Sequence, residues 1–164
     1  MLRFIRVLFS LFALFSLTFP AAAQEFRLED FFVGRTAVNG SLSGLGSGER
    51  RFSGSMSGQW SNQALLLREN YVYEDGERRQ GIWRISKVEP GRYIATCTCI
   101  NGKAMIRVKG DTARFTYDVD IGEKVVRARD RMTRMPDGTV LITSRMGRYL
   151  LPVARRDTVF DKRP

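Results

Sequence analysis

From Phe52 to Trp60 every second residue is apolar or glycine (Phe52, Gly54, Met56, Gly58, Trp60), with Ser53, Ser55, Ser57 and Gln59 between them. A period of two with polar residues on the off beat predicts a strand facing a core on one side and water on the other. Leu65 to Tyr73 keeps that beat as Leu65, Leu67, Tyr71 and Tyr73, and it puts Glu69, a carboxylate, on the core-facing parity. Phe115, Tyr117, Val119 and Ile121 alternate in the same way with Arg114, Thr116, Asp118 and Asp120. Turn signals fall at Asp75-Gly76, Pro90-Gly91, Asn101-Gly102, Gly110-Asp111, Gly122 and Asp137-Gly138. Asn-Gly and Asp-Gly supply the positive φ angles of two-residue hairpin turns, so each interval reads as one strand. Helical spacing is absent after residue 34. The expected fold is all-β, an antiparallel up-and-down barrel of about eight to ten strands. Closure is preferred over an open sandwich because it removes exposed sheet edges.

Ahead of the first strand, Leu28-Glu29-Asp30-Phe31-Phe32 suits one helical turn laid across an end of the barrel. Gly40 to Gly48, rich in glycine and serine, is expected to form a mobile hairpin tip. Inward-facing glycine at 54 and 58 leaves interior volume unfilled, which favours a cavity.

The first 23 residues have the layout of a secretory signal peptide. Arg3 and Arg6 precede an apolar stretch from Val7 to Phe19, and Ala21-Ala22-Ala23 supplies small residues before Gln24. The stretch, broken only by Ser and Thr, is thirteen residues long, short of the roughly 20 that a membrane-spanning helix needs. The expectation is therefore an exported, periplasmic protein cleaved after Ala23, with no cysteine there to take a lipid anchor, and a single barrel domain over residues 24–164.

Charge is unevenly placed. Residues 25–123 hold 14 basic and 13 acidic side chains, whereas residues 124–164 hold 11 and 4. Arg127, Arg129, Arg131 and Arg134 alternate along one segment, and Arg155-Arg156 follows. Such a face either keeps the protein soluble or draws an anionic partner. An anionic membrane surface or a protein partner is the expectation for the second case. No nucleic-acid module is recognisable, so nucleic acid is not expected.

With no histidine in the chain, a Ser-His-Asp hydrolase and a His-ligated metal site are excluded. Gly44, Gly46 and Gly48 lie between strands rather than opening a helix, which removes them as a phosphate loop. Cys97 and Cys99 share a strand face. Extended Cα atoms two residues apart sit about 6.6 Å from each other, near the limit of a disulfide, so a pair of small buried thiols is preferred to a redox or metal role. No cofactor and no enzyme activity are expected. Asp130, inward if Arg127, Arg129 and Arg131 point out, could join Glu69 inside the barrel, where the two could act as general acid and base, anchor a polar ligand head, or pair with Arg79 or Arg145 as structural ions. Trp60, Tyr71, Trp83, Tyr93, Phe115 and Tyr117 are on inward parity and form either plain core or a cavity lining.

Leu28-Glu29-Asp30-Phe31-Phe32 with Gly34-Arg35, Gly58-x-Trp60, Glu69-x-x-x-Tyr73-x-Asp75-Gly76-Glu77, Trp83, Gly91-x-Tyr93, Asp130-x-Met132, Asp137-Gly138 and Met146 occur in that order. This succession resembles a bacterial family of uncharacterised exported proteins, often lipoproteins, with a lipocalin-like (calycin) β-barrel. The resemblance covers nearly all of the mature chain and implies the fold and export, but no activity. It also implies an arginine two residues before Trp83, where this chain has Gly81, and an arginine where it has Thr143. Together these readings give a lipocalin-like barrel expected to bind a small apolar or amphipathic, lipid-like ligand, with Trp60, Glu69, Tyr71, Trp83, Tyr93, Asp130 and Met132 as candidate contacts.

Overall fold

The computed structural model describes residues 25–44, 47–121, 124–149 and 151–162; the expected leader lies outside them. After a five-residue helix, α1 (Leu28–Phe32), come β1 (Gly34–Gly44), β2 (Ser47–Ser61), β3 (Ala64–Tyr73), β4 (Arg78–Glu89) and β5 (Arg92–Cys97). These are followed by β6 (Asn101–Lys109), β7 (Thr112–Ile121), β8 (Lys124–Arg134), β9 (Val140–Arg148) and β10 (Leu151–Asp161). Each strand pairs antiparallel with its chain neighbours, and β1 pairs with β10, closing a ten-stranded up-and-down barrel. Among the described residues no helix is long and apolar enough to cross a membrane.

Alternation decides which side chains enter the barrel. On β8, Val126, Ala128, Asp130 and Met132 are buried while Arg127, Arg129, Arg131 and Arg134 are exposed. On β3, Leu65, Leu67, Glu69, Tyr71 and Tyr73 point in, as the pattern of two requires.

Several turns differ from expectation. Asn101-Gly102 does not make the β5–β6 turn; Gly102 sits in β6 at φ +76°, beside a register shift, and the chain reverses over Thr98, Cys99 and Ile100. The β2–β3 turn is made by Asn62 and Gln63, both at positive φ (48° and 57°), with no glycine to signal it. Gly40 to Gly44 belongs to β1 rather than to a loose tip, and the Phe52 ring packs where a Cβ at Gly40 would stand.

The helix closes one end. Leu28, Phe31 and Phe32 are buried, and Phe32 meets Phe160 edge-on at 5.5 Å between ring centroids. Gly58 leaves no void: a Cβ there would collide with the Phe32 carbonyl oxygen, so its missing side chain makes room for the plug rather than for a ligand. Gly54 is likewise backed by the Asn70 and Tyr71 backbone. Glu29 ties the helix to the barrel wall. Its carboxylate accepts hydrogen bonds from Lys87 Nζ (2.6 Å), the Tyr93 hydroxyl (2.8 Å) and Arg27 Nη2 (3.1 Å), although the residue is only 5% exposed.

Candidate functional site

The opposite end is open. An interior cavity of about 810 Å³ leads down from this mouth, walled by Tyr71, Tyr73, Trp83, Ile100, Tyr117 and Val119 and floored by Glu69 and Arg156. At the rim, Arg50 is clamped between Asp75 and Glu77 (2.6 Å to the latter) and stacks 4.2 Å over the Tyr73 ring. Below the floor a void of about 60 Å³ lies against α1, bounded by Met56, Leu67, Ile85, Phe115, Met132 and Phe160. Glu69, Trp83 and Arg156 line both spaces and therefore divide them.

Three charged groups meet at this divider. Burial pushes the carboxyl groups of both Glu69 and Asp130 upward, against the opposing pull of the Arg156 charge. Trp83 also favours the charged form of Glu69, and the Tyr117 hydroxyl donates to Asp130 Oδ2 at 2.8 Å. Arg156 stays protonated: burial opposes its charge, but the surrounding Tyr117, Tyr71, Asp130 and Glu69 outweigh that. Burial, then the Glu69 charge, pushes the Tyr71 hydroxyl up to about 12, so it remains a neutral donor. Ser144, the cross-strand neighbour of Asp130, also favours its charged form, whereas Arg156 Nε has no hydrogen-bond partner among the protein's own groups. Buried polar atoms are paired in the great majority of cases, so an unpaired guanidinium nitrogen at this floor marks a place for a further acceptor.

Glu69, Tyr71 and Trp83 line the open cavity, while Asp130 and Met132 line the small void beneath it. Tyr93 and Trp60 stand apart. Tyr93 is 2% exposed at the plugged end, engaged with Glu29, and Trp60 packs half-buried at the far end of β2. The interior cation is neither Arg79, which pairs with Glu77 at 2.5 Å, nor Arg145, which is exposed on the outer face. It is Arg156, expected on the surface beside Arg155. Adjacent strand residues face opposite sides, and with Thr158 and Phe160 buried the same parity turns Arg156 inward. Gly81 opposite Glu69 gives the carboxylate its space, since a Cβ there would strike Oε1.

Cys97 and Cys99 are joined in a disulfide, contrary to the expectation of two thiols. β5 ends at Cys97 and the following turn draws the two Cα atoms to 5.0 Å, well inside the bonding range whose upper limit an extended strand only approaches. Among the described residues, Glu69 and these two cysteines are the one cluster of three metal-ligating side chains, within 4.8 Å of one another. With its sulfurs bonded together the cluster offers a single carboxylate, too little for a tetrahedral zinc site.

A closed antiparallel barrel, plugged at one end and with a charged floor under an open mouth, defines a lipocalin-like protein. Residues 9–162 match the family of proteins of unknown function DUF3833, and the chain belongs to that family. Among solved structures it is similar to the S-type phycobiliprotein lyase CPES from Guillardia theta, with a TM-score of 0.61 and 10% identity over 85% of this chain and 94% of that one. It is also similar to Rv2717c from M. tuberculosis, with a TM-score of 0.58 and 12% identity over 81% of this chain and 93% of the other. At such identities the likeness is one of fold. No curated protein matches the sequence.

Proposed function

We propose that this protein is an exported, periplasmic carrier that binds a small amphipathic molecule in the open cavity. It would act by binding rather than by catalysis. The observation that carries this reading is the unpartnered Arg156 Nε at the floor of an aromatic-walled space. A volume of about 810 Å³ falls within the range of small-molecule sites, roughly 300–1,000 Å³. The apolar body would lie against Trp83, Tyr71, Ile100 and Val119, and the polar head would accept hydrogen bonds from Arg156 and Tyr71. Glu69 and Asp130 would hold the guanidinium in place. That one fold neighbour is a phycobiliprotein lyase fits a barrel of this shape serving a ligand, and the chemistry of this floor is argued from its own residues.

The test is native mass spectrometry of protein purified from periplasm, followed by organic extraction, and then titration of the emptied protein with a fluorescent fatty acid and with a tetrapyrrole. A stoichiometric adduct, or saturable uptake weakened at least tenfold in Arg156→Met and in Trp83→Ala, is the expected result. A clean apo mass with no uptake of either probe overturns the proposal. So does equal loss of binding and of stability in Trp83→Ala, which would make Trp83 ordinary core.

A further inference from the structure

The outer face of β5–β10 sets arginine opposite arginine. Arg107 stands in register between Arg92 and Arg114, and Arg114 next to Arg131. One layer nearer the mouth, Arg145 stands between Arg129 and Arg155. All seven are exposed. Arg92 is paired with Glu89 and Arg155 with Asp157, while Arg107, Arg114, Arg129, Arg131 and Arg145 make no ion pair among the described residues. Like charges directly opposite weaken a sheet, so folding does not account for these rows.

The row nearer the mouth runs into an outer groove of about 1100 Å³. It is lined by Arg127, Arg129, Arg145, Arg148 and Arg155 against one carboxylate, Asp118. The same groove carries apolar side chains that the core does not cover: Tyr149, 82% exposed, Leu151, 68%, and Val125, 54%. Gly44, Met146, Val153 and Ala154 line both this groove and the interior cavity, so it sits on the outer side of the cavity's rim.

We propose that the groove docks the protein on an anionic phospholipid surface. Its arginines would take the headgroup phosphates, and Tyr149 and Leu151 would enter the interfacial layer. Arginine matches phosphate in a fork-like geometry, and each basic side chain near an anionic leaflet adds to binding. The aliphatic neighbours decide between polyanions. A nucleic acid would leave Leu151 and Val125 in water, whereas tyrosine and leucine belong at a membrane interface. Docked this way the open mouth faces the bilayer, the one place where a lipid-like cargo is concentrated. The docking itself does not depend on what fills the cavity.

Flotation of the purified protein with vesicles of phosphatidylglycerol and phosphatidylcholine, against vesicles of phosphatidylcholine alone, tests this. Binding should require phosphatidylglycerol. The variant Arg129→Ser/Arg145→Ser/Arg148→Ser should lower partition about 100-fold, since each near-surface arginine is worth roughly fivefold. The charge-matched variant Arg68→Ser/Arg78→Ser/Arg84→Ser, on the opposite wall, should lower it less than about threefold. Tyr149→Ser/Leu151→Ser should release the binding that persists at high salt. Equal losses in the two arginine variants would show attraction by net charge alone and overturn the proposal. So would binding to a short DNA duplex that exceeds vesicle binding and is indifferent to Leu151→Ser. Circular dichroism of each variant separates these outcomes from misfolding.

Discussion

Replacing Glu29 by glutamine isolates what holds the plug in the barrel. Burial alone would raise this carboxyl; the hydrogen bonds from Lys87, the helix backbone, Tyr93 and Arg27 overcome it and bring the pKa down from 4.5 to about 2. A drop of about 2.5 units corresponds to roughly 3 kcal/mol of folding free energy, an upper figure for a network whose Lys87 and Arg27 ends reach solvent. Because the folded pKa is depressed, this stability is present above about pH 4.5 and is lost as pH falls toward 2. Glu69 and Asp130 act in the opposite sense: their folded pKa values are raised, so their ionisation costs stability as pH rises. Subtracting the variant's profile from that of the wild type removes their contribution, as neither touches Glu29. Urea unfolding followed by tryptophan fluorescence should therefore show Glu29→Gln about 3 kcal/mol less stable at pH 7, a midpoint shift near 1.5 M for a slope of about 2 kcal/mol/M. At pH 2 the gap should shrink to under about 1 kcal/mol. A gap of the same size at both pH values would refute the reasoning, because glutamine would then be failing for its shape and not for its missing charge.

Other perturbations follow from particular contacts. Gly58→Ala should push α1 off its seat through the Phe32 carbonyl and cost about 1–3 kcal/mol, read as a lowered melting temperature; an unchanged melting temperature would mean that the helix is not packed there. Gln63→Gly removes a side chain from a residue at φ 57° and should stabilise the β2–β3 hairpin by about 1 kcal/mol in the same assay. Cys97→Ser/Cys99→Ser should cost no more than about 1–2 kcal/mol, as the bond closes a very short loop, and a larger loss would place more of the fold's stability in the mouth hairpin than its contacts suggest.

The barrel was legible because its interior is written in a period of two, which survives for ten residues at a time on β3, β7 and β8. The inward carboxylates could be read from the same beat, since Glu69 and Asp130 interrupt apolar parity without shifting it. What escaped reading lies where the period breaks. A register shift between Pro152 and Ala154 hides the parity of β10 from its mouth end, so Arg155-Arg156 reads as a basic pair rather than as one residue out and one in. The turn at Asn62-Gln63 carries no glycine, and the cysteines read as strand partners because nothing local announces that β5 stops at Cys97. Glu29 reads as part of an amphipathic turn, but its partners Lys87 and Tyr93 are 58 and 64 residues away, a distance that no local pattern spans.

The two ends of the barrel treat charge differently, and the difference separates stability from binding. At the plug, Glu29 is surrounded by three donors that each close a hydrogen bond, so the network is complete and its pKa falls. Around the floor of the cavity, Arg156 and two carboxyl groups share one apolar interior, yet one donor, Arg156 Nε, is left over and the carboxyl pKa values rise. A completed buried network rigidifies a fold, whereas an incomplete one is costly unless a further group completes it. A ligand head that accepts from Arg156 Nε would remove that cost, and the protein should then melt at a higher temperature, the gain rising with the logarithm of the ligand's free concentration over its dissociation constant. Arg156→Met, with the cation gone and both carboxyl groups free to protonate, should abolish this ligand-dependent rise while leaving the Glu29-dependent acid transition in place. Loss of both together would show that floor and plug are one network, and that the open end is no more than the top of the core.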